Sequence, residues 1–271
     1  ICSQRIQNHR KFQPLKFLEK AVGLDHKRDI GLIKNGWIID VINYAGVSAV
    51  DVNADCLDDL LFNAGSTGLK LYLQQADGQY KLSKLPLAPK PGAVTPLIFD
   101  MDGDYRWDLF IGNLGPSPAI LAYNFLINDD QVELHRPAPP VINMTAADID
   151  NDGDLDLTLA LWRSFNAPKQ EHIWLNDGMG NLSSHNDFIQ LRESSKNLVY
   201  DLDVKRKNLE SIGTPDLTFT PNYSDIDNDG DVDLLLAADF VRSQVLLNDS
   251  ASFKDITDKT VVNESNGMGA A

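Results

Sequence analysis

The stretch Asp148-Ile-Asp-Asn-Asp-Gly-Asp-Leu-Asp-Leu157 sets carboxylates at positions 1, 3, 5 and 9 of a short loop: Asp148, Asp150, Asp152 and Asp156. Gly153 stands at position 6, where a glycine lets the backbone reverse without a Cβ clash. Side chains two apart in such a turn converge, and four converging carboxylates repel unless a hard cation sits among them. Oxygen ligands at about 2.3–2.6 Å, with one backbone carbonyl joining, describe Ca²⁺. The string returns at Asp225, Asp227, Asp229 and Asp233, with Gly230 at position 6. A near-verbatim second copy removes chance acidic surface as an explanation.

Two weaker copies lie upstream. Asp100, Asp102, Asp104 and Asp108 keep the four acids but place Tyr105 at position 6. Asp51, Asn53, Asp55 and Asp59 exchange one carboxylate for an amide oxygen and place Cys56 there. Both sets can ligate calcium through costlier turns, or persist as degenerate acidic turns kept for their shape. Ligand charge and turn strain together rank calcium affinity as Asp148 and Asp225 loops first, Asp100 next and Asp51 last.

The elements that must hold these loops are strands. An EF-hand needs a bidentate Glu at position 12 and flanking helices, whereas position 12 is Leu159 or Leu236. Each loop instead runs into a short apolar segment, at Leu60–Asn63, Leu109–Gly112, Leu157–Trp162 and Leu234–Ala238, whose length favours a buried strand. A further strand then reaches a polar hairpin, as in Leu71–Tyr80, Ile173–Leu182 and Val245–Phe253, with Leu121–Asp129 a looser version. Asp77-Gly78 and Asp177-Gly178 are hairpin signals. Before the first loop, Trp37–Asn43 and Gly46–Val50 read as strands. The proline-rich joints from Pro86 to Pro96 and Pro137 to Pro140 are expected between units, where no ladder N–H is needed.

Loop starts are separated by 49, 48 and 77 residues, the last being one period plus about 29 inserted. A period of about 40–50 residues means stacked supersecondary units, and four-stranded blades are the usual all-β form. From about residue 40 onward the chain resembles the FG-GAP/VCBS repeats of β-propellers, including integrin α-subunit propellers and the cartilage acidic protein (ASPIC/UnbV-associated) group. The Asp-Ile-Asp-Asn-Asp-Gly-Asp-x-Asp-Leu copies carry that resemblance. It implies an all-β propeller in which calcium pins a hairpin of each blade, with up to four calcium ions in this chain. The expected organisation is an N-terminal strand and linker region, 1–36, then propeller repeats over 37–271 with a charged insertion at about 183–215. That insertion reads as a surface excursion or a partner contact. Within it Asp201-Leu-Asp203 lacks the acid at position 5 and the glycine, and is read as non-binding.

Composition bounds the function. The chain has 271 residues and a net charge of −15, and fifteen of its 39 acidic residues occupy the ligand positions just named. Metal sites thus account for much of the acidity. Nucleic acid is not expected as a partner, because phosphate recognition wants Lys/Arg clusters. No run of 18 apolar residues is present, so no transmembrane segment is expected. The two cysteines, Cys2 and Cys56, either pair in an oxidising compartment or are unrelated thiols. Gly46-Val-Ser48 lacks the second glycine of a nucleophile elbow, and the five histidines show no ligand spacing. His172 near Trp162 and Trp174 could stack on a sugar, although tryptophan at strand positions more often belongs to a core.

The expectation is therefore a non-catalytic, calcium-stabilised propeller outside the cell, on its surface or in the periplasm. Its leader is expected to have been removed or never included, and a protein or glycan ligand is expected on the propeller face. A lectin-like glycan binder and a non-catalytic arm of a larger secreted enzyme are the alternatives. Phe253–Val261 resembles the family linker and Gly267-Met-Gly-Ala-Ala271 the strand before a metal loop. Four loops and that strand make about five blade units of the seven that closure implies, so an incomplete propeller is expected. One further period puts the next loop's first Asp at about 272–274. Sequencing past Ala271 checks this: an Asp-x-Asp-x-Asp-Gly string within about ten residues is expected.

Overall fold

The computed structural model describes residues 24, 46–63, 69–85, 93–113, 120–124, 131–134, 141–161, 172–185, 218–238 and 243–258. Among them the regular elements are strands, which form four antiparallel sheets of four. Among the described residues no helix is long and apolar enough to cross a membrane. The expected segments at Trp37–Asn43, Asp201–Asp203 and Gly267–Ala271 lie outside the described residues.

Each sheet is a meander whose neighbours in space are neighbours in sequence. The first comprises β1 (Val47–Val50), β2 (Asp59–Asn63), β3 (Leu69–Gln74) and β4 (Tyr80–Ser83). The second comprises β5 (Ala93–Phe99), β6 (Asp108–Asn113), β7 (Ile120–Asn124) and β8 (Gln131–Leu134). The third comprises β9 (Asn143–Ala147), β10 (Asp156–Ala160), β11 (Ile173–Asn176) and β12 (Leu182–His185). The fourth comprises β13 (Thr218–Ser224), β14 (Asp233–Ala238), β15 (Gln244–Asp249) and β16 (Ser252–Asp255). In every sheet the metal-type loop joins the first strand to the second. The second strand begins on the loop's last Asp, one residue before the apolar run read from the sequence. Because β12 extends to His185, the inserted segment starts later than residue 183.

The chain divides into two compact units, Ile1–Pro91 and Gly92–Ala271. In the first, β2 alternates, burying Asp59, Leu61 and Asn63. Phe62 and Tyr72 meet edge to face at 5.9 Å across β2 and β3.

In the second unit the β9–β12 sheet is the middle layer, with β9 against both β5 and β13. This explains why every residue of β10 is buried: a strand covered on both faces reads as a continuous apolar run. Toward one neighbour, Leu157, Leu159 and Leu161 pack with Phe99, Met101 and Phe110, where Phe99 and Phe110 stack at 4.6 Å. Toward the other, Ala147, Ile149 and Ile173 pack with Leu234, Leu236 and Leu246. Thr158 Oγ1 lies 2.7 Å from the Tyr223 hydroxyl, and burial raises the Tyr223 pKa. Leu161 N donates to Thr218 Oγ1 at 3.0 Å.

One joint is corrected. Pro96 lies within β5, paired with Ile111 beside a register shift, rather than between units. Pro221 does the same in β13, opposite Leu236. Both strands are the first of their sheets, where a residue without an N–H interrupts no ladder on its open side.

Leu159→Ala should cost about 2–5 kcal/mol by leaving a cavity in the middle layer. Tyr223→Phe removes one hydroxyl contact and should cost about 0.5–1.5 kcal/mol. Urea denaturation at fixed calcium checks the order, and equal losses would contradict the layered core.

Candidate metal centres

The four loops share one backbone. Position 4 takes a left-handed φ in each: Ala54 at 60°, Gly103 at 70°, Asn151 at 62° and Asn228 at 63°. So does position 6: Cys56 at 69°, Tyr105 at 64°, Gly153 at 98° and Gly230 at 103°. Sequence reading found the second left-handed position and missed the first. The signal was there in Asn151, Asn228 and Gly103, residue types that tolerate this region. Each other L-residue placed there costs roughly 1–2 kcal/mol, so the first loop carries two strained positions, Ala54 and Cys56.

Backbone donors fix the carboxylates. At position 1 an oxygen accepts the position 6 N–H: Asp51 from Cys56 at 2.7 Å, Asp100 from Tyr105 at 2.9 Å, Asp148 from Gly153 and Asp225 from Gly230, both at 3.2 Å. At position 5 an oxygen accepts the position 7 N–H: Asp55 from Leu57, Asp104 from Arg106, Asp152 from Asp154 and Asp229 from Asp231. Position 3 caps position 5 in the first two loops, through Asn53 and Asp102.

Position 9 is buried in every loop, Asp59, Asp108, Asp156 and Asp233 being at most 8% exposed. One oxygen accepts the position 2 N–H, from Val52, Met101, Ile149 and Ile226 at 2.7–3.1 Å. In three sheets the other oxygen accepts from the third strand: Asp59 from Gln74, Asp156 from Asn176 and Asp233 from Asn248. These aspartates therefore clasp loop, second strand and third strand together. Burial, the largest cause, raises the pKa of Asp59 and pushes Asp108 and Asp156 up to about 6, with neighbouring loop carboxylates adding to it. Burial and then neighbouring acids also raise Asp150 and Asp227.

Three sets of carboxylates bring oxygens within 4.8 Å of one another: Asp100, Asp102 and Asp108; Asp148, Asp150 and Asp156; Asp225, Asp227 and Asp229. Asp104, Asp152 and Asp233 stand outside these groups, and the Asp51 loop assembles no such triplet. Asp104 instead lies 3.9 Å from Arg106 Nε. Asp100 Oδ1, Asp148 Oδ1 and Asp150 Oδ1 are buried with no hydrogen-bond partner. Buried carboxylate oxygens without donors, set among other carboxylates, fit a hard divalent cation.

Within the second unit, the turn between the third and fourth strands of one sheet approaches the loop of the sheet before it. In the second unit the turn after β11 covers the Asp100 loop, where a Cβ on Gly180 would lie 3.3 Å from Asp102 Cβ. Asn151 Nδ2 donates to Asp231 Oδ1 at 2.6 Å, and Ser250 N donates to Asp231 Oδ2 at 2.9 Å. Cys56 is disulfide-bonded; Cys2, the chain's other cysteine, lies outside the described residues. His172 is buried with Nδ1 2.9 Å from the Leu159 carbonyl. Trp174 packs against the core and Trp162 lies outside the described residues, so His172 is closed to a sugar face.

The model of the FG-GAP-like repeat matches residues 51–111. This segment is therefore similar to an FG-GAP-like repeat. It spans the first two loops, and the Asp148 and Asp225 loops reproduce the repeat's backbone turn. A comparison with curated proteins returned no match. Among solved structures, an Agrocybe aegerita lectin described as specifically recognising non-reducing terminal N-acetylglucosamine is similar over 79% of this chain and 51% of that chain. The identity is 14% and the TM-score 0.44. The chain thus spans about half the length of that lectin.

The clasp and ligand roles separate by mutation. Asp156→Ala leaves two buried N–H groups without acceptors, at about 1–3 kcal/mol each, and should destabilise even calcium-free protein by about 2–4 kcal/mol. Asp152→Ala should change calcium-free stability by less than about 0.5 kcal/mol while lowering the calcium-dependent part. Denaturation with and without chelator reads both.

Asp108 and Asp156 bind protons more tightly folded, at about 6, than unfolded, at about 3.9. Their contribution is fully present below the unfolded value and is lost as pH rises through about 6. Calcium-stripped protein should therefore melt higher at pH 5 than at pH 7, whereas calcium-loaded protein should lose stability on acidification as protons displace metal. Parallel thermal melts across that range test the sign.

Proposed function

We propose that the chain is a calcium-stabilised β-propeller module that works outside the cell as a non-catalytic binding surface for a protein or glycan. The observation that carries the metal is the trio of buried, partnerless oxygens at Asp100, Asp148 and Asp150. The residues that would hold calcium are Asp100, Asp102 and Asp108 in one loop, Asp148, Asp150 and Asp156 in the next, and Asp225, Asp227 and Asp229 in the last. Asp104, Asp152 and Asp233 complete the ligand positions. Asp51, Asn53, Asp55 and Asp59 form the weakest site, since an amide replaces one charge.

Calcium here is a structural cation. It would be held where first strand, loop and second strand meet, by the carboxylates just named, and would supply the positive charge that lets them converge. An oxidising compartment is supported by the Cys56 disulfide. Millimolar extracellular calcium suits loops with dissociation constants of about 10⁻⁴–10⁻³ M.

Millimolar calcium, at about one to ten times such a Kd, adds roughly 0.4–1.4 kcal/mol per site to the folded state. Melts in millimolar Ca²⁺ and in chelator should differ by several degrees, about 2–4 °C per kcal/mol; identical melting temperatures would refute calcium stabilisation. A glycan array run alongside separates a carbohydrate ligand from a protein one.

A further inference from the structure

Two asparagines reach from one sheet into the metal loop of the sheet before it. Asn176, at the end of β11, is 5% exposed, and its Nδ2 donates to the Met101 carbonyl at 2.8 Å. Asn248 in β15 is 3% exposed, and its Nδ2 donates to the Ile149 carbonyl at 2.7 Å. Met101 stands between Asp100 and Asp102, and Ile149 between Asp148 and Asp150. The same contact thus recurs one repeat apart, each time on the position 2 residue that separates two carboxylates. The Oδ1 atoms of both asparagines are buried and have no hydrogen-bond partner, as have Asp100 Oδ1, Asp148 Oδ1 and Asp150 Oδ1 in the loops they touch.

Position 2 is gripped from both sides. Its N–H is held by its own sheet, Met101 by Asp108 and Ile149 by Asp156; its carbonyl is held by the next sheet. The asparagine main chain closes the connection, since Asn176 N donates to Asp156 Oδ1 and Asn248 N to Asp233 Oδ1. A continuous line of hydrogen bonds therefore runs from Met101 through Asn176, Asp156, Ile149, Asn248 and Asp233 to Ile226. Among the described residues no such amide meets the Asp225 loop, and its clustered carboxylates are exposed, whereas those at Asp148, Asp150 and Asp156 are half-buried or buried.

We propose that Asn176 and Asn248 are positioning residues for the cation of the preceding repeat, Asn176 for the Asp100–Asp108 loop and Asn248 for the Asp148–Asp156 loop. The inference rests on the calcium reading above. By fixing the peptide between two ligands, each amide holds their carboxylates in the converged geometry before metal arrives. Part of the ordering cost of binding is then met during folding. The Asp100–Asp108 and Asp148–Asp156 sites are accordingly complete only when the next repeat is docked upon each.

The test isolates one loop in the full chain. Asn53→Ala, Asp102→Ala and Asp227→Ala together remove a ligand from the other three loops, leaving Asp148–Asp156 to be titrated with Ca²⁺ by calorimetry. Into this background go Asn248→Ala, Asn248→Leu (near in size, with no donor) and Tyr223→Phe, which breaks the Thr158 contact between the same two sheets and leaves the Asn248–Ile149 hydrogen bond in place. Losing one hydrogen bond that matters to the bound geometry corresponds to about tenfold in Kd. Both Asn248 variants should weaken calcium by roughly that factor, and Tyr223→Phe by less than about twofold. Circular dichroism and chelator melts report whether each variant is folded, and the leucine variant serves if alanine is not. Unchanged affinity in a folded Asn248 variant overturns the proposal, as does equal weakening by Tyr223→Phe, which would make the effect one of general sheet docking. If the parent background takes up no calcium at all, the calcium reading falls first and this inference with it.

Discussion

A buried aspartate at the head of each second strand joins pieces of backbone that would otherwise have no common partner. Asp156 receives Ile149 N from the loop and Asn176 N from the third strand; Asp233 and Asp59 repeat the arrangement. A carboxylate taken out of water is costly unless donors or a cation surround it. Two backbone N–H groups supply part of that compensation, and the raised affinity of Asp108 and Asp156 for protons marks what they leave unmet. In three of the four described sheets, loop, second strand and third strand are thus joined by one side chain.

The remaining imbalance lies in the loops. Two like charges about 4.8 Å apart at an effective dielectric near 20 repel by about 3–4 kcal/mol, and each of three loops gathers three oxygens within that distance. Several such pairs rival the whole stability of a domain, about 5–15 kcal/mol. Neutralisation would therefore favour the folded loops at neutral pH. Protons can supply it in acid, which is the direction of the shifts at Asp108, Asp150 and Asp156; a divalent cation supplies it without changing the ligands. The Asp100 loop has a partial third route in Arg106 beside Asp104, although both are partly solvated and such a pair is worth little.

Sheets in the second unit depend on one another as much as on their own strands. Leu157, Leu159 and Leu161 face one neighbour while Ile149 and Ile173 face the other, so the middle sheet has no polar face of its own. A repeat of this size cannot bury both faces alone, which is why such units occur in stacks. The same stacking brings the turn after β11 over the Asp100 loop and Asn248 onto the Asp148 loop. Hydrophobic docking and the placement of the loop carboxylates are consequences of one interface.

Much of this was legible in the residues themselves. The carboxylate spacing, Gly153 and Gly230, and the apolar runs after each loop are local, because ligand geometry at a tight turn and strand burial are both written in short-range order. The period of about 48 residues announced the repeat in the same way. What the local pattern could not reveal was which oxygens converge. Asp104 and Asp152 match Asp229 in sequence position and accept the same position 7 N–H, yet only Asp229 joins its triplet. Nor could it show that Pro96 sits inside β5, a placement permitted only by the open edge of its sheet. The partners of Asn176 and Asn248 lie 75 and 99 residues away in the chain, and only stacking of the sheets brings them to Met101 and Ile149. The recurring Leu-Asn-Asp at 175–177 and 247–249 marked these asparagines, but a repeated tripeptide does not say what it touches; that was decided by packing between repeats.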